Sequence, residues 1–175
     1  MKEKIQKFRE YLDYVERHYD NVQKAWKELQ DKCGDIRFVY DDYVFNCIDS
    51  NVKNHDLSKL SQEEFTQYRQ FFYPTEQEQE EKDKELMNQA WQNHLLNNDH
   101  HWQTWTTKEY NNPYAHEIYL VENIIDWIAM GYEFGDTAKE YYENNKSKIK
   151  LPKESISFMY RIFDRVYPQS CQADA

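Results

Sequence analysis

The sequence predicts an all-α protein, a compact bundle of about six to seven helices. Three observations lead there. The 175 residues include only three Gly and four Pro, so the tight turns and bulges of an all-β fold have little raw material. Apolar residues recur at intervals of three and four along most of the chain, the period of an amphipathic helix. Aromatic residues make up 17%, and these large rings supply a core that a mean hydropathy of −1.09 would otherwise seem to deny. The length suits one well-filled core and is short for two. Residues 1–166 are therefore read as a single domain and 167–175 as a flexible tail.

A first long helix is expected from Lys2 to Lys32, with the stripe Ile5, Phe8, Leu12, Val15, Tyr19, Val22, Trp26 and Leu29 facing inward and Gly34 as its stop. A second should run from Ile36 to about Asn54, burying Val39, Tyr43, Phe45, Cys47, Ile48 and Val52, and end at His55-Asp56. Ser61 to Glu64 has the form of a capping box, opening a short helix that Pro74 closes. A fourth helix is expected across the acidic run after Pro74 and on to Leu95. Asn97 to Pro113 is polar and Trp-rich, an ordered loop or a broken helix. Helix resumes from Tyr114 to Met130, ended by Gly131 and Gly135, and two closing helices follow over Asp136–Lys148 and Pro152–Val166.

A formal charge of −10 opposes sequence-independent binding to duplex nucleic acid, whose affinity comes from Lys and Arg displacing counterions. Small phosphorylated compounds remain possible substrates, because a bound divalent metal reverses the local field. Cys33, Cys47 and Cys171 are odd in number and lack C-x-x-C spacing, which argues against disulfides or a Cys-based zinc site and fits a reducing cytoplasm. No segment reads as a signal peptide or a membrane span.

The most specific local feature is Asn54-His55-Asp56-Leu57-Ser58-Lys59. Adjacent His and Asp at a helix end can reach one cation through an imidazole nitrogen and a carboxylate that bridges two metals. Alone, such a pair equally reads as a helix-terminal His beside a capping Asp. Other residues strengthen the metal alternative. His18 sits beside the apolar stripe of the first helix, where an unpaired imidazole is costly to bury. His94 follows Trp91 by one turn, and His100 and His101 lie in the Trp-flanked loop. Asp126 is embedded in Val-Glu-Asn-Ile-Ile-Asp-Trp-Ile-Ala-Met, where a carboxylate must be paired, protonated or metal-bound unless it lies at a solvated edge. Glu122, one turn earlier, can join it or orient a ligand.

The order His18, His55-Asp56, Lys59, His94, His100-His101, Asp126 resembles the HD-domain superfamily of metal-dependent phosphohydrolases. It is also similar to a small group of bacterial and phage proteins with H-D-x-S-K followed by His-His-Trp. The resemblance implies an HD-type bundle in which His18, His55, Asp56 and Asp126 bind a divalent metal. With His94 and either His100 or His101 it looks like the dinuclear variant, bridged by Asp56. The GYP signature is missing, so cyclic-dinucleotide specificity does not carry over, and Lys59 stands where HD nucleotidases often place a Glu. An imidazole-rich set favours Fe, Mn, Co, Ni or Zn, one ion or two. The expected activity is hydrolysis of a small phosphorylated compound, a nucleotide or nucleotide-derived signal, with Asp56 and Lys59 catalytic and Lys59 also binding phosphate. Two alternatives remain open: an HD-type di-iron oxygenase, and a non-catalytic interaction protein that retains the pocket.

Overall fold

A computed structural model of the protein describes residues 1–80 and 83–168. Ten α-helices and one 3₁₀ turn account for the regular structure, with no strand among the described residues. The helices are α1 (Lys2–Lys32), α2 (Arg37–Tyr40), α3 (Asp42–Lys53), α4 (Phe65–Phe72), α5 (Glu76–Glu80), α6 (Lys84–Asn97), α7 (Trp102–Trp105), α8 (Ala115–Phe134), α9 (Ala138–Asn145) and α10 (Lys153–Val166), and the 3₁₀ turn is Leu57–Leu60. The count exceeds the expected six to seven because carboxylates break two predicted helices. Asp41 accepts from the amides of Tyr43 and Val44 and so separates α2 from α3. Asp83 does the same for Glu85 and Leu86 at the start of α6, separating it from α5. The Trp-rich segment contains the single-turn α7. In α3, Tyr43, expected on the buried side, is exposed.

Helix α8 is the axis of the fold. It is buried almost all round, from Leu120 through Ala129, and packs chiefly on α1, with α3, α7, α9 and α10 completing the wrap. Val22, Trp26 and Leu29 of α1, Val44, Ile48 and Val52 of α3, Ile124, Ile125 and Ile128 of α8, and Met159, Ile162 and Phe163 of α10 form one apolar core. The helix does not end at Gly131. That residue lies inside it, where a Cβ would come 2.5 Å from the carbonyl oxygen of Asp136, so the side chain is omitted to let the chain double back. Gly135, at φ 82, makes the left-handed stop.

The inward stripe of α1 is rotated in its first half. Ile5, Leu12 and Tyr19 are exposed, whereas Tyr11 and His18 are buried. The cause is a second cluster in which Tyr11 meets Tyr68 of α4 and Ala90 of α6, with the Phe8 and Phe65 rings stacked 5.7 Å apart. The Ser61–Glu64 capping box does not form. No side chain caps α4, and Ser61 Oγ is buried without a partner, because Glu64 is drawn elsewhere. Tyr167, assigned to the tail from sequence, is docked, its phenol oxygen accepting from the Ala138 amide at 3.3 Å. Cys171 and the remainder of the expected tail, from 169 onward, lie outside the described residues. No helix is long and apolar enough to cross a membrane among the described residues.

Candidate metal centre

All eight residues singled out from sequence meet in one place. Helix α1 carries His18 inward from its middle. The end of α3 delivers His55 and Asp56, α6 brings His94, the approach to α7 brings His100 and His101, and α8 supplies Asp126. Asp56 is the one non-glycine residue with positive φ among the described residues, at 56°. Asp tolerates this left-handed conformation better than most side chains, at a cost on the order of 1 kcal/mol. The gain is directional, since the reversal between α3 and the 3₁₀ turn points the carboxylate into the bundle.

The two oxygens of Asp56 face different partners. Oδ2 lies 3.3 Å from His18 Nε2, 3.5 Å from His55 Nε2 and 2.7 Å from Lys59 Nζ. Oδ1 lies 3.2 Å from His94 Nε2 and 3.5 Å from His100 Nε2. Asp126 Oδ1 is 3.4 Å from His18 Nε2 and 3.7 Å from His55 Nε2. Three sets of potential ligand atoms therefore overlap: Asp56 with His94, His100 and His101; His18 with His55 and Asp56; and His55 with His100 and Asp126.

A second layer of acids fixes the rings. His94 Nδ1 donates to Glu64 Oε2 at 2.8 Å, and Asn93 donates to the other oxygen of Glu64. His55 Nδ1 donates to Glu122 Oε1 at 3.3 Å, while His100 Nδ1 lies 3.4 Å from the same atom and Asn51 holds Glu122 Oε2 at 3.0 Å. A carboxylate can only accept when ionised, so these imidazoles keep their proton on Nδ1 and turn a lone pair on Nε2 inward. Those lone pairs face carboxylate oxygens. Accordingly His18 Nε2, His55 Nε2, His100 Nε2, His101 Nε2 and Asp56 Oδ1 are all buried without a hydrogen-bond partner. Lone pair against lone pair is repulsive, and a cation in their midst removes the conflict. Proton and metal compete for that role. Burial disfavours a charged His55, yet Asp56, Asp126 and Glu122 outweigh it and lift the ring to about 10. Burial works against Glu122 as well, but His100 and His55 hold it down at about 2. His101, by contrast, is pushed well below its ordinary value by burial and by His100.

A cavity of about 690 Å³ opens onto the centre, with Asp56, Lys59, His94, His101 and Asp126 in its floor and Tyr14, Trp91, Trp102 and Trp127 among its walls. His18, His55 and His100 stand behind that floor. A second cavity of about 590 Å³, between Tyr43, Cys47, Asn51 and Tyr119, contains none of the clustered His and Asp residues, so the cluster opens onto the first. Lys59 is partly buried, its side chain 13% exposed; burial opposes its charge, but Asp56 beside it keeps the ammonium protonated. Sequence reasoning weighed Glu63 and Glu64 for acid or base work beside a helix-cap role, and did not single out Asn123 or Gln103, which line the cavity. Of the acids that orient imidazoles, only Glu122, four residues before Asp126 on one helix, carried a legible signal.

No curated protein and no solved structure matches the chain. A family model does match, over residues 7–168, and that span takes in every residue of the centre. On that evidence the chain belongs to the family of unknown function DUF5662.

Proposed function

We propose that the protein is a metal-dependent phosphohydrolase of HD type, acting on a small phosphorylated compound such as a nucleotide. The observation that carries the reading is the convergence of unpartnered imidazole nitrogens and Asp56 at the floor of an aromatic-walled cavity, beside one partly buried ammonium. His18, His55, Asp56 and Asp126 would hold one divalent ion, and His94 with His100 or His101 a second through the other oxygen of Asp56. The all N/O, imidazole-rich set suits Fe, Mn, Co, Ni or Zn. Such an ion supplies a bound water with its pKa lowered from about 15.7 to ~7, a hydroxide source at neutral pH.

The chain's own groups do the rest. Glu64 and Glu122 hold the imidazoles in the tautomer that leaves Nε2 free. Lys59 reaches the cavity with its charge secured by Asp56, placed to contact a phosphoryl oxygen and offset negative charge that grows in the transition state. The Trp and Tyr walls exclude water and bind the organic part of the substrate.

Metal analysis of purified protein with phosphate release from a nucleotide panel tests the proposal. The wild type should carry one or two ions per chain and release phosphate, and a His55→Ala/Asp56→Ala double variant should lose both properties. A double variant that keeps its metal would end the idea.

A second reading, a di-iron oxygenase, draws support from the division of Asp56, one oxygen toward His18 and His55 and the other toward His94 and His100. Iron at two per chain with oxygen consumption, and no phosphate release, would favour it.

A further inference from the structure

The cavity holds an uncommitted polar group that the metal chemistry does not use. Asn123 lies on α8 three residues before Asp126, on the same side of the helix. It is 1% exposed, lines the cavity, and leaves both Nδ2 and Oδ1 without a hydrogen-bond partner. An amide buried in this way costs roughly 1–3 kcal/mol for each unmatched atom, so a protein keeps one where a ligand completes it. Gln103 on α7, which lines the same cavity, adds a buried Oε1 with no partner. The flanking helix positions are otherwise committed, Glu122 to the ligand imidazoles and Ile124 and Ile125 to the apolar core.

Charge narrows what such a ligand is. Lys59 is the one Lys or Arg among the residues lining the cavity, whereas Glu133 and Asp136 stand there as acids. Glu133 already accepts from Arg17 at 3.1 Å. Beyond the charge a metal at the floor offsets, each further phosphate gains from a cationic side chain, and Lys59 is the one the lining provides.

We infer that Asn123, assisted by Gln103, is a specificity-determining residue that reads adjacent donor and acceptor atoms on the uncharged, planar end of a substrate bearing a single phosphoryl group. The edge of a nucleobase, stacked among the aromatic walls, has this chemistry; a triphosphate does not fit the charge. The inference rests on the phosphohydrolase reading for the phosphoryl end only, because the amide recognises the other end.

Calorimetric titration of the Mn²⁺-loaded protein separates the two. The probes are the four ribonucleoside monophosphates, the four nucleosides, ATP and inorganic phosphate, each against wild type and Asn123→Leu, a near-isosteric change without the amide. At least one monophosphate and its nucleoside should bind wild type and lose tenfold or more in the variant, with inorganic phosphate changed less than threefold and ATP bound more weakly than the monophosphate. If phosphate is hydrolysed, the loss should fall on KM more than on kcat. The ligand-free variant should melt no lower than wild type, since an unmatched amide has been replaced by an apolar group. A lower melting temperature, or equal losses for nucleotide and phosphate, would assign Asn123 to the scaffold and overturn the inference. Failure of wild type to bind phosphate while a nucleoside still binds in an Asn123-dependent way would sink the phosphohydrolase reading and leave the amide's role standing. Absence of binding by every nucleoside and nucleotide would overturn that role.

Discussion

Helix α4 joins two buried charged clusters that look alike in composition and differ in how they close. At its fifth residue, Arg69 is fully buried and meets both oxygens of Glu78, with Nη2 to Oε1 at 2.9 Å and Nη1 on Oε2. The amide of Thr75 donates to Glu78 Oε2, the Thr75 hydroxyl accepts from the Glu78 amide, and the Phe8 ring covers the guanidinium. Arg69 answers Glu78 directly, and Lys4 Nζ stands 3.6 Å from the same carboxylate. Just before the helix, Glu64 belongs to the other cluster, where Asp56, Asp126, Glu122 and Glu64 are set against the ammonium of Lys59 and the imidazoles. Three of those imidazoles turn an unpartnered Nε2 toward carboxylate oxygens, those of His18, His55 and His100. The first cluster pairs its charges within the chain, with Arg69 Nε the one guanidinium nitrogen left unmatched, and reads as scaffold. The second leaves potential ligand atoms unmatched at a defined point, an arrangement that could hold a cation.

Removing metal should show the difference most strongly. An ion present at about a thousand times its Kd stabilises the native state by about 4 kcal/mol, and for a chain of this size each kcal/mol moves Tm by roughly 2–4 °C. Scanning calorimetry with and without chelator should therefore give a drop of roughly 8–16 °C. A centre that closes on itself as the Arg69 pair does would barely respond.

Arg69→Met reverses the contrast. It leaves the buried Glu78 with only the half-exposed Lys4 and the Thr75 amide, at an expected cost of about 3 kcal/mol in urea unfolding, while metal content stays unchanged. Adding Glu78→Met should recover most of that loss. A fall in metal stoichiometry in either variant would mean that the two clusters are not separable.

The same contrast marks what the sequence made legible. The long apolar periods located α1, α8 and α10, because burial of one face or of a whole helix leaves a trace in residue spacing. The ligands were legible for a related reason, since His18 and Asp126 are polar residues inside apolar runs. The breaks at Asp41 and Asp83 were not, because an Asp within a periodic stretch serves equally as a solvated position or as a cap, and only the backbone path decides. Glu64 and Arg69 were hidden in the same way. Each sits in a short polar segment whose burial depends on partners thirty and nine residues away, His94 and Glu78. The rotated stripe of α1 followed from this too, since Tyr11 turns inward to meet α4 and α6 rather than to continue the pattern of its own helix.

Acid provides the finest test of the comparison. Arg69, with help from Thr75, holds the Glu78 carboxyl at about 2, below its ordinary value of 4.5. A depressed folded-state value means that the unfolded chain takes up the proton first. The contribution of Glu78 is therefore complete above about pH 4.5 and is lost as pH falls from there through about 2. Glu122 of the centre is also held at about 2, so wild type alone cannot isolate the pair. Urea unfolding of chelated wild type and of the chelated Arg69→Met/Glu78→Met variant, at intervals between pH 5 and pH 2, does so by difference. Wild type should lose stability more steeply, and the two curves should converge toward the acid end. Parallel curves would show that the guanidinium does not set the Glu78 proton affinity, and the closed cluster would lose its standing as the neutral counterpart of the open one.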